Sequence, residues 1–242
     1  MQRKSLNMSD DRFAAGLAVL RRIMIRFAAV IGIAALGGYF AAIPVLRYLR
    51  GLTGVTLVAF GIPESFFAVL KIALVIGLMV SAPYGLYLAM HEVKRAFPDF
   101  SRRALIGFWI SSVLLFFIGV VFCLNVLLPY GVRFLLSFEG PTISAFISVN
   151  KFVSFCSLFV IGFGVVFELP LIMVLLGRIG VTTPDALAGY RRYAFLIIVI
   201  VSAILTPSPD ILNLILMAVP LYLLYEIGLL GMRFSTPKRA SE

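Results

Sequence analysis

Six long runs of apolar residues divide the chain, and short segments rich in charges, proline or glycine separate them. About 20 consecutive apolar residues are needed for a helix to cross the hydrocarbon of a bilayer. The pattern therefore predicts six transmembrane helices, at about Ile23–Leu46, Phe66–Met90, Leu105–Leu128, Phe152–Leu176, Tyr193–Leu205 and Ile211–Leu230.

The last two runs are shorter than the others. Tyr193–Leu205 offers thirteen residues before a TPSPD turn, which is about 20 Å of helix against about 30 Å of hydrocarbon. The sixth run is apolar only as far as Glu226. Two short helices predict a locally thinned bilayer or shelter against longer neighbours. The alternative is that TPSPD forms a re-entrant break within one hairpin.

Composition supports an all-α integral membrane protein with one domain over residues 1–242. The chain is 62% hydrophobic and 13% charged, with a mean hydropathy of +1.07, whereas soluble domains carry about 25% charged residues. The net charge of +10 is therefore interpreted as a sign of topology rather than of nucleic-acid binding. With one histidine and two cysteines, we expect neither a metal site nor a cofactor.

Basic residues are distributed unequally between the two sides of the predicted spans. Sixteen lysines and arginines lie in segments 1–26, 94–103, 178–192 and 231–242, and four or five lie on the opposite side. Positive charge accumulates in cytoplasmic loops. We expect a cytoplasmic segment 1–22, a six-helix core over 23–230 and a cytoplasmic tail 231–242, in the plasma (inner) membrane.

One carboxylate, Glu168, lies inside the apolar run GFGVVFELPLIMVLLG, two residues before Pro170. Proline lacks an amide hydrogen, so it frees the carbonyl of Val166 within one turn of the acid. Ionisable groups inside membranes are costly and usually line cavities or pathways. The sequence predicts a polar notch with a functional acid; the structural alternative is a protonated glutamate bonded to a neighbouring helix.

Weaker polar features mark the ends and bends of other spans. We expect Glu226 to pair with an arginine at the interface, Asp210 to cap the sixth span, and Lys71 to extend outward to the interface. Thr183-Pro184-Asp185 has the pattern of a helix start. Residues considered for structural or partner contacts are Pro44, Pro83, Pro207, Asp210, Pro220 and Glu226.

Several motifs occur together at the spacing of one known family. VSAPYGLY, FGVVFELPLIMVLLGRIGVTTPDAL, RRYAFLIIVIVSAILTPSPD and AVPLYLLYEIGLL resemble TatC, the six-span core subunit of the twin-arginine protein translocase. The resemblance covers nearly the whole chain after about Pro63. It implies a concave, glove-like arrangement with short fifth and sixth helices, and a membrane pocket containing Glu168 with Phe167 and Pro170.

The chain departs from that family at the segments that bind signal peptides. In GLAVLRRI, Val19 replaces the family acid and Ile23 replaces the second arginine of H-L-x-E-L-R-x-R. In HEVKRAFPDFSRR, Ser101 stands where a second acid is usual. FPDF is considered a displaced form of the missing motif. The candidate signal-peptide surface comprises Arg21, Glu92, Phe97, Pro98 and Asp99.

The resemblance implies a non-enzymatic receptor and scaffold for export of folded proteins driven by the proton gradient. Its expected partners are signal peptides, single-span TatA- and TatB-type proteins, lipid and further TatC-like chains; a paralogue with altered signal recognition is a variant of this function. The alternative is a secondary transporter coupling a proton on Glu168 to a small solute. That alternative predicts internal repeats, and none is clear. An intramembrane hydrolase is disfavoured because Ser154 and Ser157 are predicted far from His91.

Overall fold

The computed structural model describes residues 2–98, 100–137, 146–205 and 211–235, without the side chains of residues 2–20, 135, 205, 212 and 213. Nearly all of these residues are helical. The elements are α1 (Gln2–Thr53), β1 (Leu57–Val58), α2 (Glu64–Ala96), α3 (Arg102–Phe122), a π-helical turn (Cys123–Leu127), α4 (Leu128–Leu136), β2 (Ile147–Ser148), α5 (Val149–Val166), α6 (Leu169–Arg178), α7 (Pro184–Gly189), α8 (Arg191–Leu205) and α9 (Ile211–Ser235).

Five helical stretches in the described residues are long and apolar enough to cross a membrane: Arg21–Thr53, Ile62–Ala96, Arg102–Phe134, Val149–Arg178 and Leu214–Ser235. They contain the predicted spans one to four and most of span six. The fifth span corresponds to α8, which has 15 residues and measures about 22 Å. The all-α membrane fold is confirmed, and the fifth helix is short, as its apolar run predicted. The sixth is longer than its apolar run predicted: α9 has 25 residues, because the helix continues past Glu226.

Helices α1 and α2 pack closely because glycines of α2 face the backbone and rings of α1. A Cβ atom on Gly77 would lie 2.7 Å from the amide nitrogen of Ala35, and one on Gly85 would lie 2.6 Å from the ring of Phe27. These two contacts run in opposite directions along the helices, so the pair is antiparallel. Little of α1 is buried elsewhere: only 17% of its most apolar window is covered by the rest of the molecule, which leaves a wide face for lipid.

The core draws residues from most of the helices, and some of its most deeply buried side chains lie between the third span and α5. Cys123, Val153 and Cys156 are almost fully buried there, and the two cysteines are free thiols. At Cys123 the third span widens into its π-helical turn. Pro129 follows two residues after that turn, and proline cannot donate a helical hydrogen bond, which explains the irregularity at this point of the span.

A short parallel bridge joins two segments that the sequence predicted only as loops. Leu57 pairs with Ile147 and Val58 pairs with Ser148. Glu64 secures the bridge by accepting hydrogen bonds from the Ser148 hydroxyl and from the amide of Asn150. The bridge ties the end of α1 to the beginning of α5.

The helix start predicted at Thr183 is confirmed, but the helix that begins there is brief. The Thr183 hydroxyl accepts from the amide of Ala186 at 3.2 Å, and α7 ends at Gly189. The short fifth span then begins separately at Arg191.

Candidate functional site in the membrane-spanning core

The fourth span breaks at Phe167 and Glu168, between α5 and α6. The amide of Glu168 bonds to the carbonyl of Val165 at 3.0 Å, which is a tighter turn than the α-helix makes. Pro170 lies in the first turn of α6, where its missing amide is tolerated. Proline therefore determines where the break falls, and the break contains the acid.

The carboxylate of Glu168 is buried and only half satisfied by hydrogen bonds. Glu168 is 8% exposed and Ser112, on α3, is fully buried. The Ser112 hydroxyl donates to Glu168 Oε2 at 2.7 Å, while Oε1 has no hydrogen-bond partner among the described residues. An unpaired buried carboxylate oxygen is costly, so Oε1 is a group whose hydrogen-bonding capacity the described residues leave unused.

The bond to Ser112 is the kind of contact that the structural alternative for Glu168 requires. Ser112 was not singled out from the sequence, because it is one of two adjacent serines in an apolar run. Its spacing carried a usable signal. Phe108, Ser112, Phe116 and Gly119 recur at helical intervals and are all buried, so they mark the inward face of α3.

That face of α3 runs along α6 and the C-terminal part of α5. The Arg178 guanidinium lies 5.0 Å from the centre of the Phe108 ring. A Cβ atom on Gly164 would meet the Phe116 ring at 2.7 Å. Further along, a Cβ atom on Gly119 would meet the side chain of Phe167 at 2.8 Å. Glycines at both points allow the helices to approach closely enough for Ser112 to bond Glu168.

Helix α9 closes the other side of the break. A Cβ atom on Gly228 would lie 2.5 Å from Met173 Sδ and 3.1 Å from Pro170 Cα. Pro170 is therefore in direct contact with the sixth span. The predicted group of Phe167, Glu168 and Pro170 is thus held between α3 and α9.

A second polar cluster joins α7 and α8 to α9. Arg191 contacts both carboxylate oxygens of Glu226, each at 2.9 Å, so Glu226 has the arginine partner that the sequence predicted. Tyr222 donates to Glu226 at 3.0 Å, and Tyr225 donates to the carbonyl of Leu187 at 2.7 Å. These bonds attach the short α8 to the longer α9.

The prediction that Lys71 extends outward to the interface is wrong. Its Nζ donates to Asn150 Oδ1 at 2.6 Å and to Ser154 Oγ at 2.8 Å. Both partners lie on α5, so the ammonium group turns inward. The two polar side chains of α5 therefore take the place of the interfacial water that would solvate the ammonium group of an extended lysine.

The candidate signal-peptide surface lies where α2 ends and α3 begins. Glu92 is already shared, because Arg95 approaches its carboxylate to 3.3 Å and His91 Nδ1 approaches it to 3.7 Å. Phe97 caps α2 through its amide and is partly exposed, and Pro98 is exposed beside it. Asp99 lies outside the described residues.

Arg21, the remaining member of this surface, lies on α1. Phe27 of α1 contacts Gly85 of α2, and equal steps away from that contact place exposed Arg21 at about the level of His91. Sequence and structure therefore bring a cation, rather than an acid, from α1 to this end of α2.

The remaining predicted prolines divide between helices and segments that are not described. Pro44, Pro83 and Pro220 lie inside α1, α2 and α9. The carbonyl of Pro83 accepts a hydrogen bond from the Trp109 indole at 2.9 Å, which links α2 to α3. Pro207 and Asp210 lie outside the described residues.

No cluster of three or more histidine, cysteine, aspartate or glutamate side chains in the described part of the chain could hold a metal ion. What the structure does contain is a bundle of apolar helices around a helix break with a buried acid. These features define a multi-pass membrane protein with a polar site in its membrane-spanning part.

Comparison with protein families identifies the group to which this fold belongs. The family "Sec-independent protein translocase protein (TatC)" matches residues 16–220. The chain therefore belongs to the TatC family, and it is a multi-pass protein of the bacterial inner membrane.

Relatives and solved structures agree with that assignment. TatC of Carboxydothermus hydrogenoformans is 34% identical over 76% of this chain and 76% of its own length. TatC of Escherichia coli K12 is 32% identical over 83% of this chain and 76% of its own length. A crystal structure of the "Twin Arginine Translocase Receptor- TatC" superposes with a TM-score of 0.78, at 31% identity, over 91% of this chain and 99% of that one.

Proposed function

We propose that this chain is the receptor and scaffold subunit of a twin-arginine translocase, without enzymatic activity of its own. The observation that carries the proposal is Glu168. It lies at a helix break within the region that matches the TatC family, and one of its buried oxygens has no partner among the described residues.

The break gives this subunit a polar anchor at membrane depth. A signal peptide, or the membrane helix of a TatA- or TatB-type partner, would present its apolar surface to the surrounding spans and a hydrogen-bond donor to Glu168 Oε1. Oε1 is buried in the free chain, so such a bond forms only if the incoming segment inserts at the break and displaces the side chains that cover it. The acid would therefore favour inserted over peripheral partners. Export of folded cargo would then draw its energy from the proton gradient.

Replacement of Glu168 tests this role. We expect Glu168→Ala to abolish export while membrane insertion and abundance stay near those of the parent chain. The bond to Ser112 is lost, but the span becomes more apolar and the cost of a buried acid with an unpaired oxygen is removed. Ser202→Ala is the matched control: Ser202 is another fully buried polar residue, on α8. Undiminished export by a stably inserted Glu168→Ala chain would return Glu168 to a structural role.

The cytoplasmic surface favours a subunit with altered signal recognition. Two guanidinium groups need carboxylates to bind, yet Glu92 is shared with Arg95 and His91, and Val19 and Ser101 replace the two family acids. We expect weak, salt-sensitive binding of a paired-arginine peptide to this chain.

Restoring the acids tests that expectation. Val19→Glu with Ser101→Asp should strengthen binding; aspartate is chosen because Ser101 caps α3 through Ala104, and aspartate also caps helices. Titration with paired-arginine and paired-lysine peptides at two salt concentrations measures the change. Tight, arginine-selective binding by the unmodified chain would refute altered recognition and indicate an ordinary twin-arginine receptor.

The orientation with both termini in the cytoplasm is part of this proposal. Single cysteines at Ser101 and Ser235 should be labelled from the same side of the membrane. Cys123 and Cys156 are almost fully buried, so they give little background. Labelling of the two introduced cysteines from opposite sides would refute the topology.

The transporter alternative is not supported by the family match.

A further inference from the structure

A basic pocket opens where α2 ends and α3 begins. Its volume is about 840 Å³. Lys94, Arg95 and Arg102 line one part of it, and Leu105, Ile106 and Trp109 line another. The pocket therefore combines cationic side chains with an apolar wall. A site for a purely ionic ligand would not need the apolar wall.

Two of these three cations have no acidic partner in the part of the chain that the structure describes. Arg95 pairs with Glu92 at 3.3 Å, but neither Lys94 nor Arg102 forms an ion pair with another residue in the described ranges. They extend from the last turn of α2 and the first turn of α3. The beginning of α3 adds partial positive charge there and the end of α2 adds partial negative charge, so the side chains determine the sign of the pocket. The pocket thus attracts anions and repels a guanidinium group.

The apolar wall lies on the side of the pocket that continues into the spans. Leu105 is buried, whereas Ile106 is more than half exposed. Trp109 is held in place by its hydrogen bond to the carbonyl of Pro83 at 2.9 Å. An exposed isoleucine beside a fixed indole, at the end of two apolar helices, forms a surface for a hydrocarbon chain.

We propose that this pocket binds an anionic glycerophospholipid. Its phosphate lies between Lys94 and Arg102, and one acyl chain lies against Ile106 and Trp109. Basic pockets between transmembrane helices on the cytoplasmic side bind anionic headgroups in this manner. The proposal rests on the cytoplasmic orientation proposed above and is independent of which signal peptide the chain recognises.

Trp109 provides the measurement because it is the only tryptophan in the chain. The purified protein is titrated with phosphatidylglycerol brominated in its acyl chains, and with brominated phosphatidylcholine, in mixed micelles. We expect phosphatidylglycerol to quench Trp109 at lower mole fraction. Lys94→Gln and Arg102→Gln should each reduce that preference roughly five-fold.

Arg103→Gln is the matched control, since Arg103 is exposed next to Arg102 but does not line the pocket. It should leave the preference unchanged. Equal quenching by the two lipids, or an equal loss in Arg103→Gln, would overturn the proposal. Tryptophan emission in unbrominated lipid confirms that each variant keeps its fold around Trp109.

Inorganic phosphate distinguishes a lipid from a free anion. Millimolar phosphate should not displace brominated phosphatidylglycerol, because it lacks the acyl chain that contacts the apolar wall. Displacement by phosphate as effective as displacement by unbrominated phosphatidylglycerol would overturn the lipid assignment. Loss of signal-peptide binding, by contrast, would affect the proposed receptor function and leave this lipid titration unchanged.

Discussion

Ser112→Ala is the substitution that most directly tests how Glu168 is held in the membrane. The hydroxyl of Ser112 donates to Glu168 Oε2 at 2.7 Å, and both residues are buried. Interhelical hydrogen bonds in membranes average about 0.6 kcal/mol and reach about 1.7 kcal/mol. Removing the hydroxyl also leaves the second buried carboxyl oxygen without a partner, which places the cost at the upper end of the range. We expect Ser112→Ala to lower the free energy of unfolding by about 1–2 kcal/mol.

A second serine separates this bond from the effect of removing a buried hydroxyl. Ser202 is equally buried and has no hydrogen-bond partner among the described residues. Ser202→Ala should therefore change the free energy of unfolding by less than about 0.5 kcal/mol, or raise it, because an unpaired buried polar group is destabilising.

A double-mutant cycle completes the test. Steric-trap unfolding in bicelles would compare Ser112→Ala in the parent chain and in Glu168→Ala. In the second background the hydroxyl has no carboxylate to bond, so Ser112→Ala should cost almost nothing, which gives a coupling energy of about 1–2 kcal/mol. A coupling energy near zero, or a Ser202→Ala cost equal to that of Ser112→Ala, would refute the reasoning.

Three further substitutions test other contacts by the same unfolding measurement. Gly119→Ala should lower the free energy of unfolding by about 1–3 kcal/mol, because its Cβ would lie 2.6 Å from a backbone oxygen of α5. In the control Gly162→Ala, the new Cβ meets no atom within 4 Å, so this change should be neutral or stabilising. Equal losses in the two variants would contradict the packing. Lys71→Met should lower the free energy of unfolding by about 1–3 kcal/mol, because two hydrogen bonds to α5 are lost. Lys151 is exposed, so Lys151→Met should have little effect. An unchanged stability in Lys71→Met would show that the inward contacts contribute nothing. Glu226→Gln should lower the free energy of unfolding by less than about 1 kcal/mol, because the ion pair with Arg191 is partly exposed. A larger loss would mean that the pair is shielded from water.

Much of the fold could be predicted from apolar run length and proline position. A run of about 20 apolar residues has few alternatives to a membrane helix, and the short run from Tyr193 produced a short α8. Pro170 marked the polar notch in the fourth span, because a missing amide is a local property of the chain; the structure shows that the helix breaks there. The bridge between Leu57 and Ile147 could not be predicted, since two residues carry no periodicity.

The partners of the polar residues could not be predicted, because they depend on the register between helices. Lys71 turns inward only because Asn150 and Ser154 lie opposite it on α5. Ser112 reaches Glu168 only because Gly119 and Gly164 let α3 approach α5. A sequence shows that a buried acid needs a donor, but the choice of donor is made by packing between distant segments.

The helix break and the end of α2 differ in how much change each can tolerate, because their surroundings differ. At the helix break, Glu168 is enclosed by α3 and α9, so a change there would leave a buried polar group or a steric clash. At the end of α2 the side chains face water, and exchanging an acid for a base costs little stability. Recognition can therefore change without altering the scaffold. A phospholipid phosphate between Lys94 and Arg102 would cancel part of the positive charge that repels an arginine pair. Lipid composition would then influence which signals this surface accepts.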